Sequence, residues 1–108
     1  MKITTNNIAL KELLQDGKTK DKRYKSLPKG VIKGFVKACA IISNARSIED
    51  VMRYPSLHYE RLKGNLSAYE SVRCNDQYRL IFISSADENE IIITNVELLN
   101  ISNHYGDL

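Results

Sequence analysis

Apolar residues recur at helical spacing in the first half of the chain and at strand spacing in the second. Ile8, Leu10, Leu13 and Leu14 fall along one side of a short amphipathic helix, and Gly17 is placed to end it. The next stretch, Lys18-Thr19-Lys20-Asp21-Lys22-Arg23-Tyr24-Lys25, is polar and basic and reads as a loop. Pro28 suits the first turn of a second helix, because a proline there gives up no needed hydrogen bond. Val31, Phe35, Ala38, Ile42 and Ala45 carry an apolar stripe along that helix from about Pro28 to Ala45, and a stripe of this width must be buried. Ser47 and Asp50 are spaced as a reciprocal cap for a short helix over Ile48 to Arg53, which Pro55 ends. Leu57 to Lys63 leads into a turn at Gly64-Asn65.

From there the pattern becomes that of strands. Leu66 to Cys74 is one, Asn75-Asp76 a turn, and Gln77 to Ser85 the next. Leu80-Ile81-Phe82-Ile83 is apolar on both faces, as a central strand requires. Ala86 to Asn89 makes a turn, and Glu90 to Asn95 a third strand around Ile91-Ile92-Ile93. Met1 to Thr4 offers an edge strand, and Val96 to Leu108 suggests a short helix near Leu98 and Leu99 followed by a tail. Helices followed by an antiparallel meander imply an α+β fold, with two or three N-terminal helices packed on a small twisted antiparallel β-sheet. The 108 residues suffice for one domain, 1–108, and are too few for two cores.

Composition narrows the function. The net charge of +3 hides an asymmetry: residues 1–63 hold fourteen Lys/Arg and six Asp/Glu, whereas residues 64–108 hold two and seven. A basic front half fits a polyanionic partner, and equally a solvated lysine surface. Cys39 and Cys74 have no histidine or cysteine neighbours at zinc spacing and read as small buried hydrophobes, so no metal is expected. Glycine-rich phosphate loops, GxSxG elbows and HExxH pairs are absent, which removes support for nucleotide, serine or zinc hydrolysis. The segment MKITTNNIAL lacks a signal-peptide core and no run approaches membrane length, so the cytoplasm is the expected compartment.

One stretch is more specific than any of this. Leu57-His58-Tyr59-Glu60-Arg61-Leu62-Lys63-Gly64, then Ser71-Val72-Arg73-Cys74-Asn75-Asp76-Gln77-Tyr78-Arg79-Leu80-Ile81-Phe82, resembles HigB-type toxins of the RelE/ParE superfamily. Members of that family typically read LH-x-x-x-LKG and then S-[IV]-R-x-N-x-Q-[YW]-R-[ILV]-x-F. The resemblance implies helices packed on a small sheet and a toxin of a type II toxin–antitoxin system. It further implies an endoribonuclease that cuts messenger RNA on the ribosome without a cofactor, restrained by a HigA-like helix-turn-helix antitoxin. Many members end V-x-I-x-D-Y-H on the last strand. With Ile91-Ile92-Ile93 as that strand, those last three positions fall near Asn95, Val96 and Glu97, which leaves His104 and Tyr105 beyond them.

Cleavage of this type uses the ribose 2′-hydroxyl as nucleophile and needs a base, cations around the phosphate and a donor to the leaving oxygen. Arg73 and Arg79 are the expected phosphate clamp, since a guanidinium fork matches phosphate oxygens. Strand arginines paired with a surface glutamate are the plainer alternative. Lys63 would hold phosphate or act as base, or be an ordinary surface lysine. His58 would serve as base or acid, because an imidazole titrates near neutrality, or merely pack in a loop. His104 and Tyr105 are second candidates for the proton donor. Tyr69 and Tyr78 would stack on bases, although sheet packing also accounts for them. Lys18, Lys20, Lys22, Arg23 and Lys25 in the loop, with Lys29, Lys33 and Lys37 on the helix, would grip ribosomal RNA through phosphates.

The hairpin supplies a geometric test. A two-residue Asn75-Asp76 loop sets Arg73 and Arg79 on opposite faces, whereas a three-residue Asn75-Asp76-Gln77 loop pairs them on one face. Two alternatives stay open: a ParE-like, non-enzymatic inhibitor of DNA gyrase, and a catalytically degenerate homologue that only binds its antitoxin.

Overall fold

A computed structural model describes residues 1–88 and 91–103. Its elements are β1 (Lys2–Thr5), α1 (Ile8–Asp16), α2 (Lys29–Asn44), α3 (Ile48–Met52), β2 (Glu60–Arg61), β3 (Glu70–Arg73), β4 (Arg79–Ala86) and β5 (Ile93–Ser102). The sheet order is β1-β5-β4-β3-β2. β2 to β5 form the antiparallel meander, and β1 adds a parallel edge along β5.

The helices form for the reasons their sequences suggest. Asn7 caps α1 by accepting from the N–H groups of Ala9 and Leu10, and Gly17 closes it at φ 72°, donating its own N–H to Leu13. Pro28 and Ala45 flank α2, which buries Val31, Phe35, Ala38, Cys39 and Ile42. The Met1 ammonium bonds the carbonyls of Ile42, Ser43 and Ala45, so a cation sits at the negative end of α2. Ser47 caps α3 as expected, but the Asp50 carboxylate reaches one residue further back, to the Arg46 N–H at 2.9 Å. The core lies between the helices and the sheet. Leu10, Leu13, Val31, Phe35, Ala38 and Ile42 meet Val72, Leu80, Phe82, Val96, Leu98 and Ile101.

Three expectations are corrected. The strand expected over Leu66–Cys74 is confined to Glu70–Arg73, because Gly64–Leu66 winds into a 3-10 turn whose short-range bonds use the N–H groups a strand would need. Glu60–Arg61, read as a lead-in to a turn, is the edge strand β2. The helix expected near Leu98 and Leu99 is the second half of a ten-residue strand. A register shift opposite Ile81/Phe82 inserts one residue there, so Val96, Leu98 and Ile101 all reach the core at a spacing that strict alternation would forbid.

No helix among the described residues is long and apolar enough to cross a membrane. Cys39 and Cys74 are free and buried, and burial pushes each thiol up to about 12.

Candidate nucleic-acid interface

The β3–β4 hairpin turns through three residues. Cys74 and Tyr78 close the ladder, and the Asn75 side chain accepts from the N–H groups of Gln77 at 2.9 Å and Tyr78 at 2.7 Å. Arg73 therefore stands directly opposite Arg79, and the two guanidinium groups share one face of the sheet. Neighbouring Cβ atoms across such a pair lie roughly 5 Å apart, and like charges there repel. Among the described residues Arg73 makes one ion pair, a loose contact with Asp76 at 3.9 Å, and that carboxylate is 98% exposed.

Arg79 is the fixed member. Its Nε donates to Ser71 Oγ at 2.8 Å, and its Nη2 donates to the carbonyl of His58. This ties the loop before β2 to the middle of β3. His58 ends a 3-10 turn over Pro55–Leu57 in the left-handed region, at φ 43° and ψ 54°, with its side chain exposed. A non-glycine residue there stores about 1–2 kcal/mol and persists only when its surroundings hold it. The bond from Arg79 is one such restraint. The next residue supplies another: Tyr59 donates to the buried Glu70 carboxylate at 2.6 Å, which also accepts from Ser84 N and Oγ at 2.9 and 2.6 Å. Burial and this bond to Glu70 raise the Tyr59 pKa well above the usual phenol value, so the hydroxyl stays a donor.

The structure thus sets Arg73 opposite Arg79, ties the His58 backbone to Arg79, and adds Ser71, which sequence reasoning missed. Lys63 does not join them. β2 runs antiparallel to β3, with Glu60 opposite Ser71 and Leu62 bonded to Tyr69. Lys63 therefore leaves the sheet at the far end of β3, at least roughly 13 Å from Arg73 at ~3.3 Å per residue. Tyr69 lies at that far end too, half-buried. Tyr78 packs against the core and lines a cavity of about 420 Å³ together with Arg23, Tyr24, Asn100, Ser102 and Asn103. Ser102 pairs with Arg79, so the cavity abuts the arginine end of the sheet.

The basic loop is anchored at that same end. Tyr24 is buried, and its hydroxyl donates to Asn100 and accepts from Asn7. Thr19 bonds Glu12 at 2.7 Å. Lys20 and Lys22 between these anchors, and Lys18 and Lys25 flanking them, are exposed. Arg23 forks onto Asp21 at 2.9 and 3.0 Å and lies 5.0 Å over the Tyr24 ring. The hydrogen bonds from Arg23 hold the Asp21 carboxyl below the usual carboxylate range. Lys29, Lys33 and Lys37 instead border an apolar groove on α2. His104 and Tyr105 lie outside the described residues. Asn95, Val96 and Glu97, where the family's terminal residues were expected, are mid-strand and pair with β1 and β4.

Helices packed on one twisted sheet of this strand order are the fold of RelE/YoeB-like toxins. Two solved structures share the fold over 97% of this chain. They are a YoeB/ParE toxin from Agrobacterium tumefaciens (17% identical, all of that chain covered, TM-score 0.55) and the YoeB-YefM complex from Staphylococcus aureus (20% identical, 98% covered, TM-score 0.57). The family model "RelE-like toxin of type II toxin-antitoxin system HigB" matches residues 7–104, and the chain belongs to that family. It is also 36% identical over 62 residues to Toxin HigB-1 of Vibrio cholerae serotype O1, a match that spans 57% of this chain and 65% of that relative's length.

Proposed function

We propose that this toxin is an endoribonuclease that cuts messenger RNA on the ribosome and is neutralised by a HigA-like antitoxin. The observation that carries the proposal is the cross-strand pairing of Arg73 with Arg79 beside His58. Two guanidinium groups held side by side repel unless an anion lies between them, and a phosphodiester has the charge and oxygen geometry to do so. RNase activity is general among HigB/RelE-like toxins, which supports the same reading. The Staphylococcus aureus YoeB was solved with YefM, in keeping with an antitoxin partner here.

In this reading the ribose 2′-hydroxyl attacks the adjacent phosphorus as His58 takes its proton. The bond from phosphorus to the 5′-oxygen breaks, and that oxygen receives a proton. Arg73 and Arg79 stabilise the charge that builds on the phosphate, and Ser71 and the His58 carbonyl fix the direction of the Arg79 fork. β5 ends at Ser102, shortly before His104 and Tyr105 in the sequence, and those two residues are kept in this reading as candidates for the proton donor. The exposed loop lysines would bind ribosomal RNA and the half-buried Tyr78 a base at the adjoining cavity.

The test is cell-free translation followed by primer extension on the message. Wild-type protein should give discrete cuts within translated codons. Arg73→Ala should abolish them with thermal stability unchanged, while Arg79→Ala should abolish them and also lower stability, since it releases Ser71 and the His58 loop. Discrete cuts that persist in an Arg73→Ala/Arg79→Ala double variant would refute the assignment. DNA breaks linked to gyrase, with messages intact, would favour the ParE-like alternative.

A further inference from the structure

We propose that Asn100 reads a guanine beside the scissile phosphate, its amide aimed by a hydrogen-bond relay that starts at the cap of α1. The proposal deepens the nuclease reading above and rests on it. The relay has a fixed direction. Asn7 Oδ1 accepts from the N–H groups of Ala9 at 3.1 Å and Leu10 at 3.4 Å, which can only donate. Asn7 Nδ2 is therefore the donor on the other side, and it bonds the carbonyl of Leu99 at 3.2 Å and the Tyr24 hydroxyl oxygen at 3.1 Å. Tyr24 has one proton to give, and it goes to Asn100 Oδ1. Each step forces the next, so the orientation of the Asn100 amide is decided at the helix cap.

The Asn100 oxygen is thus engaged by Tyr24, and its Nδ2 keeps both N–H groups without an acceptor among the described residues. Asn100 is half-buried and lines the cavity of about 420 Å³ at the arginine end of the sheet, with Arg23, Tyr24 and Tyr78. The register sets the spacing. Ser102 stands opposite Arg79 and Asn100 opposite Ile81, so Asn100 lies one step along the face that carries the arginine pair. Diagonal neighbours of this kind are ~7–8 Å apart. A phosphate held between Arg73 and Arg79 leaves the base of an adjoining nucleotide within reach of the Asn100 amide, with the Tyr78 ring beside it to stack on.

The lining selects the base. Asn100 Nδ2 donates, as does Arg23 Nη1, which the fork onto Asp21 leaves over, and no carboxylate lines the cavity among the described residues. Guanine offers two adjacent acceptors, O6 and N7, and its match needs donors alone. Adenine carries an amino donor in place of O6, and an amide grips it by using oxygen and nitrogen together. Here Tyr24 holds that oxygen. Pyrimidines lack N7 and offer a smaller ring to Tyr78. Asn7 does not line this cavity and acts as a positioning residue.

The experiment programs ribosomes with synthetic messages in which each nucleotide flanking the cut is, in turn, guanosine, inosine or adenosine. At one of the two positions, single-turnover cutting by the full chain should favour guanosine over adenosine by about tenfold or more, the usual worth of a paired base contact. Inosine, which keeps O6 and N7, should match guanosine within about threefold. Asn100→Ala should level guanosine and adenosine. Asn7→Asp is the remote test. Aspartate still caps α1, but it accepts the Tyr24 proton; the Tyr24 oxygen then accepts from Asn100 Nδ2, and the Asn100 oxygen becomes the group offered to the base. Preference should shift toward adenosine by about tenfold, with folding checked by circular dichroism.

Equal cutting of guanosine and adenosine messages by the wild type overturns the proposal, and so does an unchanged preference in folded Asn7→Asp. Binding of guanosine and adenosine monophosphates to the free chain, read from the amide resonances of Asn100 and Tyr78, separates the two readings. A chain that binds the guanine nucleotide selectively yet cuts no message defeats the nuclease reading and leaves the base site standing. One that cuts messages without base preference does the reverse.

Discussion

Replacing Gly34 by alanine puts a methyl group where the structure has a carbonyl. A Cβ at Gly34 would lie 1.9 Å from the Cys74 oxygen, 2.8 Å from its carbon and 3.1 Å from its Cα. All three are backbone atoms, so no rotamer change relieves the contact. Helix or hairpin must recede by at least about 1 Å in an interior packed as tightly as a molecular crystal. A gap of that size forfeits a quarter to a half of the dispersion energy of the facing atoms, and overpacking typically costs about 1–3 kcal/mol, occasionally more. Alanine returns about 1 kcal/mol of helix propensity. A clash this deep against backbone belongs at the upper end of that range, which leaves a net loss of about 2 kcal/mol. For a domain of this size that is a fall in Tm of roughly 8–16 °C. Gly30, in the same helix, is the control. A Cβ there meets nothing within 4 Å, so Gly30→Ala should gain about 0.5–1 kcal/mol. Urea unfolding followed by far-UV circular dichroism reads both. Message cutting should fall in Gly34→Ala even at temperatures where it is folded, because Cys74 directly follows Arg73. A Gly34→Ala variant as stable as Gly30→Ala would refute the packing of α2 on the hairpin.

The Tyr59–Glu70–Ser84 cluster should behave as a buried strut. Tyr59→Phe removes a hydroxyl donor from a charged acceptor and should cost about 1.5–3 kcal/mol in chemical denaturation. Glu70→Ala strands three donors and should cost more than roughly 3 kcal/mol, so a smaller loss would mean water replaces the carboxylate. The buried thiols predict an alkaline loss of stability. The folded Cys39 and Cys74 keep their protons up to about 12, whereas the unfolded thiols release theirs near 9, so the folded state binds more protons in between. Stability should be full below pH 9 and decline towards 12, by at most about 1.4 kcal/mol per unit for each thiol, and Cys39→Ala/Cys74→Ala should flatten that decline. Ribosome pelleting should weaken steeply with salt, and replacing Lys18, Lys20, Lys22 and Lys25 by glutamine should make that dependence shallower.

The helices were legible in the sequence because they follow from a local rule, whereas the choice between a two-residue and a three-residue loop left the facing of Arg73 and Arg79 open until the register was seen. Val31, Phe35, Ala38 and Ile42 declare a helix by period alone, and an odd hairpin loop forces Arg73 and Arg79 onto one face. What was illegible depends on pairing between distant segments. Glu60–Arg61 is too short to show alternation and is a strand only because Ser71 and Glu70 lie opposite it. Without that strand, Lys63 looked like a neighbour of the arginines, whereas antiparallel pairing carries it to the other end of β3. The added residue at Leu99 broke the alternation of β5, and the shift in reading misplaced the end of the last strand by seven residues. Tyr24 sat in a basic loop and gave no sign that Asn7 and Asn100 would bury it.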